Sequence, residues 1–187
     1  MSNFINQPMR IAAFQAALGK EHIFEAPMLL QENGYNVEQL CHLLQDEKVT
    51  EIYSHEKHRE LLKAYAAECR ERNIQLIVYF NAHCVEKENI AENPAWAQRH
   101  PNGEASLAYG DLVFTCVNSP WKQFFIHGIC ECLEQDVAGI FLDGPSFSDV
   151  GCACTECRRL FLEQYGHEIT EGTFREQVEF RTKSIAA

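Results

Sequence analysis

The stretch Val137-Ala-Gly-Ile-Phe-Leu-Asp-Gly-Pro145 carries the clearest fold signal in the chain. Residues 137–142 are all apolar or glycine, and such a short run before a turn signal predicts a buried strand. Asp143-Gly144-Pro145 is typical of a turn, so we expect the strand to end there. A helix is predicted upstream, because Ser119 is a good N-cap and Pro120 fits the first helical position.

Other segments extend this pattern in both directions. Upstream, residues 56–72 place apolar side chains at helical spacing between charged ones, and Ile74–Phe80 is an almost wholly apolar strand candidate. Downstream, Thr155–Tyr165 has a helical apolar stripe, and Gly166 suits the residue after a helix end. Strands that alternate with helices predict an α/β fold with a parallel sheet.

The remaining segments give weaker patterns. Ile11–Leu18 and Asn36–Leu44 fit a strand or a helix equally well, and Val49–Tyr53 is short and strand-like. The long stretch Asn81–Asn118 has little periodicity, and loops of that length are usually functional or disordered. No internal repeat or linker divides the sequence, so we expect residues 1–187 to form a single domain.

Composition narrows the class of protein. The chain has 16 Lys and Arg against 27 Asp and Glu, a formal net charge of -11. An acidic surface repels a phosphate backbone, so we expect no nucleic-acid partner. The first ten residues are polar and no apolar run of about 18 residues occurs, which predicts a cytoplasmic protein with no signal peptide and no membrane association. Its nine cysteines should then be mostly reduced.

Three cysteines form the strongest local motif, Cys152-Ala-Cys154-Thr-Glu-Cys157. Thiolates suit the soft character of zinc, and a helix N-terminus such as the one predicted here lowers thiol pKa values. A tetrahedral structural zinc needs a fourth ligand, for which the candidates are Cys116, Cys84, Cys130 and Cys132. The alternative is three small buried residues that bind no metal.

Polar residues follow the two clearest strands. Asp143 comes directly after residues 137–142, and Asn81 and His83 follow Ile74–Phe80. Because functional groups in parallel α/β folds gather at the carboxyl ends of strands, we expect all three on one rim. The amide and the imidazole are suited to hydrogen-bond the hydroxyl groups of a sugar. The alternatives are an Asp143 that only caps a turn and a His83 that only satisfies a backbone group.

Aromatic side chains in and near the long stretch offer faces on which a sugar can stack. They are Trp96, Tyr109, Trp121 and Phe147. Trp121 lies at a helix start, where a core position is the alternative. Trp96, in Asn93-Pro-Ala-Trp96, is the better candidate for a pocket wall, and we predict that it binds substrate together with Asn81 and His83.

Several motifs are familiar in combination. They are Gly139-Ile-Phe-Leu-Asp143-Gly-Pro, Cys152-x-Cys154-x-x-Cys157-Arg, Phe161, Tyr165-Gly166, Asn93-Pro-Ala-Trp96 and Asn102-Gly103. Together they resemble the glycoside-hydrolase-like barrel family of hypothetical glycosyl hydrolases, over residues 49–166. The resemblance implies a carbohydrate substrate and a partial TIM-type (β/α) barrel of about four βα units with a parallel sheet. The chain is short for a whole barrel of about 250 residues, so we expect the N-terminal half of one.

The cysteine motif also resembles that of the zinc-containing β-galactosidases. Those enzymes place Cys-x-Cys-x-x-Cys after the fourth barrel strand and take a fourth ligand from a cysteine before an Asn-Ser-Pro helix start, as in Cys116-Val-Asn118-Ser119-Pro120 here. The resemblance implies a structural zinc held by Cys116, Cys152, Cys154 and Cys157. Their fourth strand ends in Asn-Glu, whereas this one ends in Phe141-Leu142-Asp143. Asp143 is therefore more similar to the strand-four nucleophile of α-galactosidase- and α-fucosidase-like barrels.

Glycoside hydrolysis needs a second carboxyl group, and none of the later glutamates ends a convincing strand. These are Glu163, Glu168, Glu171, Glu176 and Glu179. We therefore expect a half-barrel that either self-associates or lacks its C-terminal half. The leading hypothesis is a glycoside hydrolase with Asp143 as a catalytic carboxylate. The alternatives are a non-catalytic carbohydrate-binding or assembly module that keeps the zinc, and a thiol redox or zinc-regulatory protein.

Overall fold

The computed structural model describes residues 8–15, 22–42 and 56–187. It contains a four-stranded parallel sheet. Its strands are β1 (Ile11–Gln15), β2 (Val37–His42), β3 (Gln75–Asn81) and, much later in the chain, β7 (Gly139–Asp143). They lie in the order β1-β2-β3-β7, and β1–β2 and β2–β3 pair in parallel. The predicted α/β fold with a parallel sheet is confirmed, and both segments that fitted a strand or a helix contain strands.

Six α-helices lie in the described ranges. They are α1 (Glu25–Glu32), α2 (Glu56–Glu71), α3 (Lys87–Glu92), α4 (Trp121–Leu133), α5 (Thr155–Tyr165) and α6 (Phe174–Ala186). The bounds of α5 are those predicted, and Gly166 follows it in the left-handed conformation at φ 79°. At the start of α4, the backbone N of Trp121 donates to Ser119 Oγ at 3.2 Å, the capping bond expected of that serine.

A three-stranded antiparallel sheet lies in the long stretch Asn81–Asn118. Its strands are β4 (Cys84–Glu86), β5 (Leu107–Ala108) and β6 (Leu112–Phe114), in the order β4-β6-β5. Strands of two or three residues are too short to show an alternating pattern, which is why the sequence in this stretch appeared aperiodic.

The described residues divide into two compact units. The first unit takes the residues up to Phe80 together with His127–Leu142, and the second takes Asn81–Ile126 and Asp143–Ala187. None of the helices in the described ranges combines the length and the apolar character needed to cross a membrane. The strand predicted at Val49–Tyr53 lies outside the described residues.

The strand β7 departs from the prediction in its burial. It runs from Gly139 to Asp143, two residues later than the predicted start, and includes Asp143 as its last residue. Phe141 and Leu142 are 45% and 47% exposed, so the prediction of a buried strand is wrong for these two residues. The physical reason is position, because β7 stands last in the order of the sheet, and an edge strand is covered on fewer sides than a central one.

A buried carboxylate on β2 is the unusual feature of the first unit. Glu38 is 0% exposed, and the Tyr65 hydroxyl on α2 donates to its two oxygens at 2.8 and 3.0 Å. The Cys69 thiol, one turn further along α2, lies 3.7 Å from Glu38 Oε2. Burial raises the pKa of Glu38 to about 7, despite the opposing hydrogen bonds from Tyr65 and Cys69. This carboxyl group is therefore easiest to accommodate in its protonated form.

Glu38→Gln should remove a pH dependence of stability. The folded-state pKa of about 7 lies above the ordinary value of 4.5. The stabilising effect of the protonated carboxyl is therefore complete below the ordinary pKa and is lost as the pH rises through the folded one. Across that window the wild-type free energy of unfolding should fall by about 3 kcal/mol more than that of Glu38→Gln. Urea unfolding at several pH values measures this difference.

The matched control is Glu60→Gln, which changes an exposed glutamate on α2. It should keep the wild-type pH dependence. The same pH dependence in Glu38→Gln and in the wild type would contradict the explanation by a buried carboxyl group.

Candidate functional site

A cleft of about 460 Å³ opens within the second unit. Its lining includes Asp143, Asp149, His83, Tyr109 and Phe147. Its size falls within the range of ordinary small-molecule sites, about 300 to 1,000 Å³. The cleft therefore combines carboxylates, an imidazole and aromatic rings in a space that accommodates a small polar ligand.

Asp143 reaches the cleft because it is the last residue of β7. Its backbone oxygen accepts a hydrogen bond from Ala82 N at 3.0 Å and lies 3.4 Å from His83 Nδ1. Gly144 follows with φ 46°, and a Cβ atom there would lie 3.3 Å from the same Nδ1 atom. A glycine at this position thus permits both the left-handed turn and the close approach of the His83 ring.

His83 presents a buried polar atom that has no partner. The residue is 6% exposed, and its Nε2 atom makes no hydrogen bond in the part of the chain that the structure describes. Because a carbonyl oxygen only accepts, the contact to Asp143 O places the proton on Nδ1, which leaves Nε2 of a neutral ring as an acceptor. The ring also meets the edge of Tyr109 at a centroid distance of 5.7 Å. A buried acceptor in a cleft wall suits a ligand hydroxyl group.

The two other residues predicted to bind substrate lie elsewhere. Asn81 is buried, and its Oδ1 accepts hydrogen bonds from the backbone N atoms of His83 and Cys84 at 3.1 and 3.2 Å. It thus shapes the turn that carries His83. Trp96 packs in an aromatic cluster, with ring centroids 5.1 Å from Trp121 and 4.8 Å from Phe124. Neither residue belongs to the lining of the cleft, and their role in binding stays a prediction.

Of the four aromatic candidates from the sequence, Tyr109 and Phe147 line the cleft, and Phe114 lines it as well. Tyr109 is 80% exposed and adopts a positive φ of 44°, which is uncommon for a residue other than glycine. Its neighbour Gly110, also at positive φ, marks a tight turn between β5 and β6. A Tyr-Gly pair in a polar loop is a signal that could have favoured Tyr109 over Trp96.

Gln98 connects the cleft wall to the antiparallel sheet. It is 0% exposed, and its Nε2 donates to the backbone oxygens of Thr115 at 2.9 Å and Ser146 at 2.6 Å. Its Oε1 accepts from the backbone N of Ser148 at 2.8 Å. We call residues 144–150 the wall loop, because most of them line the cleft. One buried amide therefore holds the wall loop through two hydrogen bonds and joins it to Thr115 through a third.

Four cysteines converge beside the wall loop. The sulfur atoms of Cys116, Cys152, Cys154 and Cys157 all lie within 4.8 Å of one another, and all four residues are buried. Cys116 Sγ is 3.4 Å from Cys157 Sγ and 3.7 Å from Cys154 Sγ, too far for a disulfide. Metal–sulfur bonds of about 2.3 Å in a tetrahedron place the sulfurs about 3.8 Å apart. The cysteine cluster, as we call these four residues, therefore fits a metal ion, and it includes Cys116 as the fourth member.

Neighbouring groups favour negative charge in the cysteine cluster. The backbone N of Arg99 lies 3.4 Å from Cys152 Sγ, and Asn118 Nδ2 lies 3.4 Å from Cys157 Sγ. Hydrogen bonds shared among the sulfurs, first of all with Cys116, lower the pKa of Cys154, and those that Cys116 shares, first of all with Cys152, raise the pKa of Cys116. Donors directed at sulfur stabilise thiolates, the form in which cysteine binds metals.

The cysteine cluster belongs to an apolar core. Phe161 of α5, Phe180 of α6 and Ile169, which lies between these helices, are buried with it, and Phe147 of the wall loop packs against it. Asn118 Nδ2 donates at 2.9 Å to Ser184 Oγ, which lies on α6 as well. Phe147 belongs to both the core and the cleft lining, so the two sites share a side chain.

A family assignment agrees with this geometry. The family model described as Hypothetical glycosyl hydrolase 6 matches residues 44–144, more than half of the chain. The chain belongs to the hypothetical glycosyl hydrolase 6 family. The suggested family resemblance is thus confirmed. No curated protein sequence matches the chain.

Solved structures with the same fold are glycoside hydrolases. The chain is similar to alpha-L-fucosidase isoenzyme 2 from Paenibacillus thiaminolyticus, with a TM-score of 0.69, 15% identity and coverage of 96% of this chain and 29% of that one. The beta-galactosidase from Halorubrum lacusprofundi has a TM-score of 0.62 and 17% identity, with coverage of 84% of this chain and 25% of that one. The alpha-galactosidase from Thermus thermophilus has a TM-score of 0.59 and 13% identity, with coverage of 72% of this chain and 30% of that one.

These similarities establish the fold of this member of the hypothetical glycosyl hydrolase 6 family. The three enzymes are TIM-barrel proteins, so the predicted partial (β/α) barrel is confirmed. The chain spans between 25% and 30% of their lengths. The predicted self-association or missing C-terminal half stays a prediction.

Gln98→Met should loosen the wall loop. Methionine keeps the length of the side chain but leaves the backbone groups of Thr115, Ser146 and Ser148 without their partner. The loss of three buried hydrogen bonds should lower the free energy of unfolding by roughly 3 kcal/mol. Denaturant unfolding measures this loss, and the amide of Ser148 should exchange its hydrogen faster in the variant.

Gln135→Met is the matched control, because among the described residues the Gln135 side chain makes a single hydrogen bond, to Glu131 O at 3.1 Å. It should cost less than about 1 kcal/mol and leave the exchange of Ser148 unchanged. Equal losses in the two variants would show that Gln98 has no special part in holding the wall loop.

Proposed function

We propose that this chain carries the strand-four half of a glycoside hydrolase site, with Asp143 as its catalytic carboxylate. The observation that carries the proposal is the cleft that Asp143, at the end of β7, and His83 line together, where His83 Nε2 has no hydrogen-bond partner among the described residues. Family membership and a fold found in TIM-barrel glycoside hydrolases support the same reaction class. A carbohydrate is accordingly the proposed substrate.

Asp143 is proposed to act as the nucleophile. Its carboxylate attacks the anomeric carbon of a bound sugar, and the bond to the leaving oxygen breaks as the glycosyl ester forms. A residue that ends a strand has a backbone fixed by the sheet, and here the backbone oxygen of Asp143 is held by Ala82 N. Such fixed placement keeps the nucleophile within reach of the anomeric carbon.

His83 is proposed to bind a sugar hydroxyl group. Its Nδ1 is oriented by the Asp143 carbonyl, which leaves Nε2 as an acceptor for a donor on the ligand. Asn81 supports this indirectly, because its side chain accepts from the His83 backbone N and fixes the turn. Tyr109 and Phe147 supply the aromatic faces against which the C–H face of a sugar ring packs.

A zinc ion with a structural role is proposed for the cysteine cluster. Four sulfurs at tetrahedral spacing suit zinc, and four protein ligands leave no position for a catalytic water. When bound, the ion would cross-link the segment before α4 to the segment that leads into α5. Its effect on the cleft would be indirect, through Phe147 and the wall loop.

Cys116→Ser should release the metal and destabilise the second unit. Serine lacks the sulfur that completes the tetrahedron, so zinc content should fall from about one ion per chain to well below that. The thermal midpoint should fall on the order of 10 °C, because metal that binds the folded state stabilises it. Elemental analysis of the purified protein and a thermal melt measure the two effects.

Cys130→Ser is the control, since Cys130 is an exposed thiol outside the cysteine cluster. It should retain both the metal and the midpoint. A wild-type protein without metal, or a Cys116→Ser variant that keeps its metal, would contradict the zinc proposal.

Asp143→Asn should abolish hydrolysis while the fold persists. The amide keeps the shape of the side chain but cannot form the glycosyl ester, so turnover of aryl α- and β-glycosides should fall by a factor on the order of 10⁴. Release of the phenol, followed by absorbance, measures turnover, and zinc content and the thermal midpoint report on the fold.

Asp111→Asn makes the same chemical change at a fully exposed residue that pairs with Lys87. It should leave turnover unchanged. Unchanged turnover in Asp143→Asn would refute the catalytic role of Asp143. A wild type that binds sugars without cleaving them would instead support the non-catalytic carbohydrate-binding module.

A further inference from the structure

A second carboxyl group is required at the cleft if the proposed hydrolysis takes place there. One group must protonate the leaving oxygen, because an alkoxide is a poor leaving group. The carboxyl groups in the cleft lining belong to Asp143 and Asp149, and the other titratable lining residues are His83, His100 and Tyr109. Asp149 is therefore the first candidate for the second carboxyl group beside Asp143.

We infer that Asp149 is the second carboxylate of the cleft and acts as the proton donor and acceptor beside Asp143. This inference rests on the proposed function. It assigns a catalytic role to a residue of the wall loop and requires no later strand of the barrel.

The backbone around Asp149 is held in a tight turn. Gly151 N donates to Ser148 O at 2.7 Å, and Ser148 Oγ donates to Gly151 O at 2.9 Å. Gly151 has φ 80°, and a Cβ atom there would lie 2.3 Å from the guanidinium of Arg181. Asp149 thus occupies the second position of a four-residue turn that is closed by two hydrogen bonds and covered by Arg181.

Both ends of this turn are anchored to the same neighbouring segment. On one side, Ser148 N donates to Gln98 Oε1 at 2.8 Å. On the other, Ala153 N donates to Arg99 O at 2.7 Å, and Arg99 N lies 3.4 Å from Cys152 Sγ. Gln98 and Arg99 are adjacent, so the wall loop is fixed before and after Asp149. Such fixed placement is what an acid–base catalyst needs to meet a bound sugar reproducibly.

The carboxylates that follow the cysteine cluster are engaged in structural contacts. Glu163 pairs with Arg159, Glu168 with Arg158, Glu179 with Lys183, and Glu176 caps α6 through Thr173. Glu171 forms a capping box with Glu168. None of these five glutamates lines the cleft. Asp149, in contrast, lines the cleft and is exposed to solvent, with which an acid–base group must exchange protons.

The chemical steps balance with these two groups and water. In the first step, the protonated Asp149 gives its proton to the glycosidic oxygen, whose bond to the anomeric carbon breaks, while Asp143 forms an ester to that carbon. In the second step, Asp149 takes a proton from water as the water oxygen attacks the anomeric carbon and displaces Asp143. The products are the free sugar and the alcohol, and both carboxyl groups return to their initial states.

The test compares kcat/KM of Asp149→Asn on two glycosides that differ in their leaving group. With a phenyl glycoside, which needs a proton at the leaving oxygen, kcat/KM should fall about 100-fold or more. With a dinitrophenyl glycoside, whose leaving group departs as the anion, kcat/KM should change little. Added azide should then raise kcat, because it attacks the glycosyl ester without a base. Asp111→Asn should match the wild type with both substrates.

A merely structural role for Asp149 would lower the rates with both substrates together and would give no azide effect, which would overturn the inference. Asp143→Asn should lose activity on both substrates to the same extent. An Asp143→Asn variant that keeps its activity would bear on the proposed function alone. Full activity of Asp149→Asn on the phenyl glycoside, with Asp143→Asn inactive, would leave the proposed function intact and refute the role of Asp149.

Discussion

The close approach of four buried sulfur atoms is the constraint on which the second unit depends. Cys116 precedes α4, Cys152 and Cys154 precede α5, and Cys157 lies in the first turn of α5. Sulfurs brought this close without a cation would repel as thiolates and would offer few hydrogen bonds as thiols. A bound metal cation would offset part of the thiolate charge, and the apolar side chains of Phe161 and Phe180 are buried in the same cluster.

Long periodic elements were predictable because each one carries its own signal. The helix Thr155–Tyr165 begins and ends as predicted, since its apolar stripe and its terminal Gly166 are local features. The small antiparallel sheet was not predictable, because its strands of two or three residues are defined by pairing with one another. The exposure of Phe141 and Leu142 was also missed, because an apolar run gives no indication of whether its strand lies at the centre or the edge of a sheet.

The residues of the candidate site also differ in whether the sequence indicated them. Asp143 and His83 line the cleft, and both could be selected as candidates because each comes after an apolar run that is visible in the sequence. Trp96 was preferred because it lies in the loop segment Asn93-Pro-Ala-Trp96, yet it packs among other aromatic rings. Gln98 gave no signal at all. A single glutamine becomes important only when the backbone groups that it joins, distant in sequence, are known.

The hydrogen bonds of Gln98 to the wall loop end on main-chain atoms, the oxygen of Ser146 and the nitrogen of Ser148. An anchor of this kind is indifferent to the side chains that the loop carries. Residues of this loop that line the cleft, such as Ser146 and Val150, can then be exchanged during divergence without removing the support of the loop. The same property makes these positions suitable for a randomised library in which ligand preference is altered on a constant scaffold.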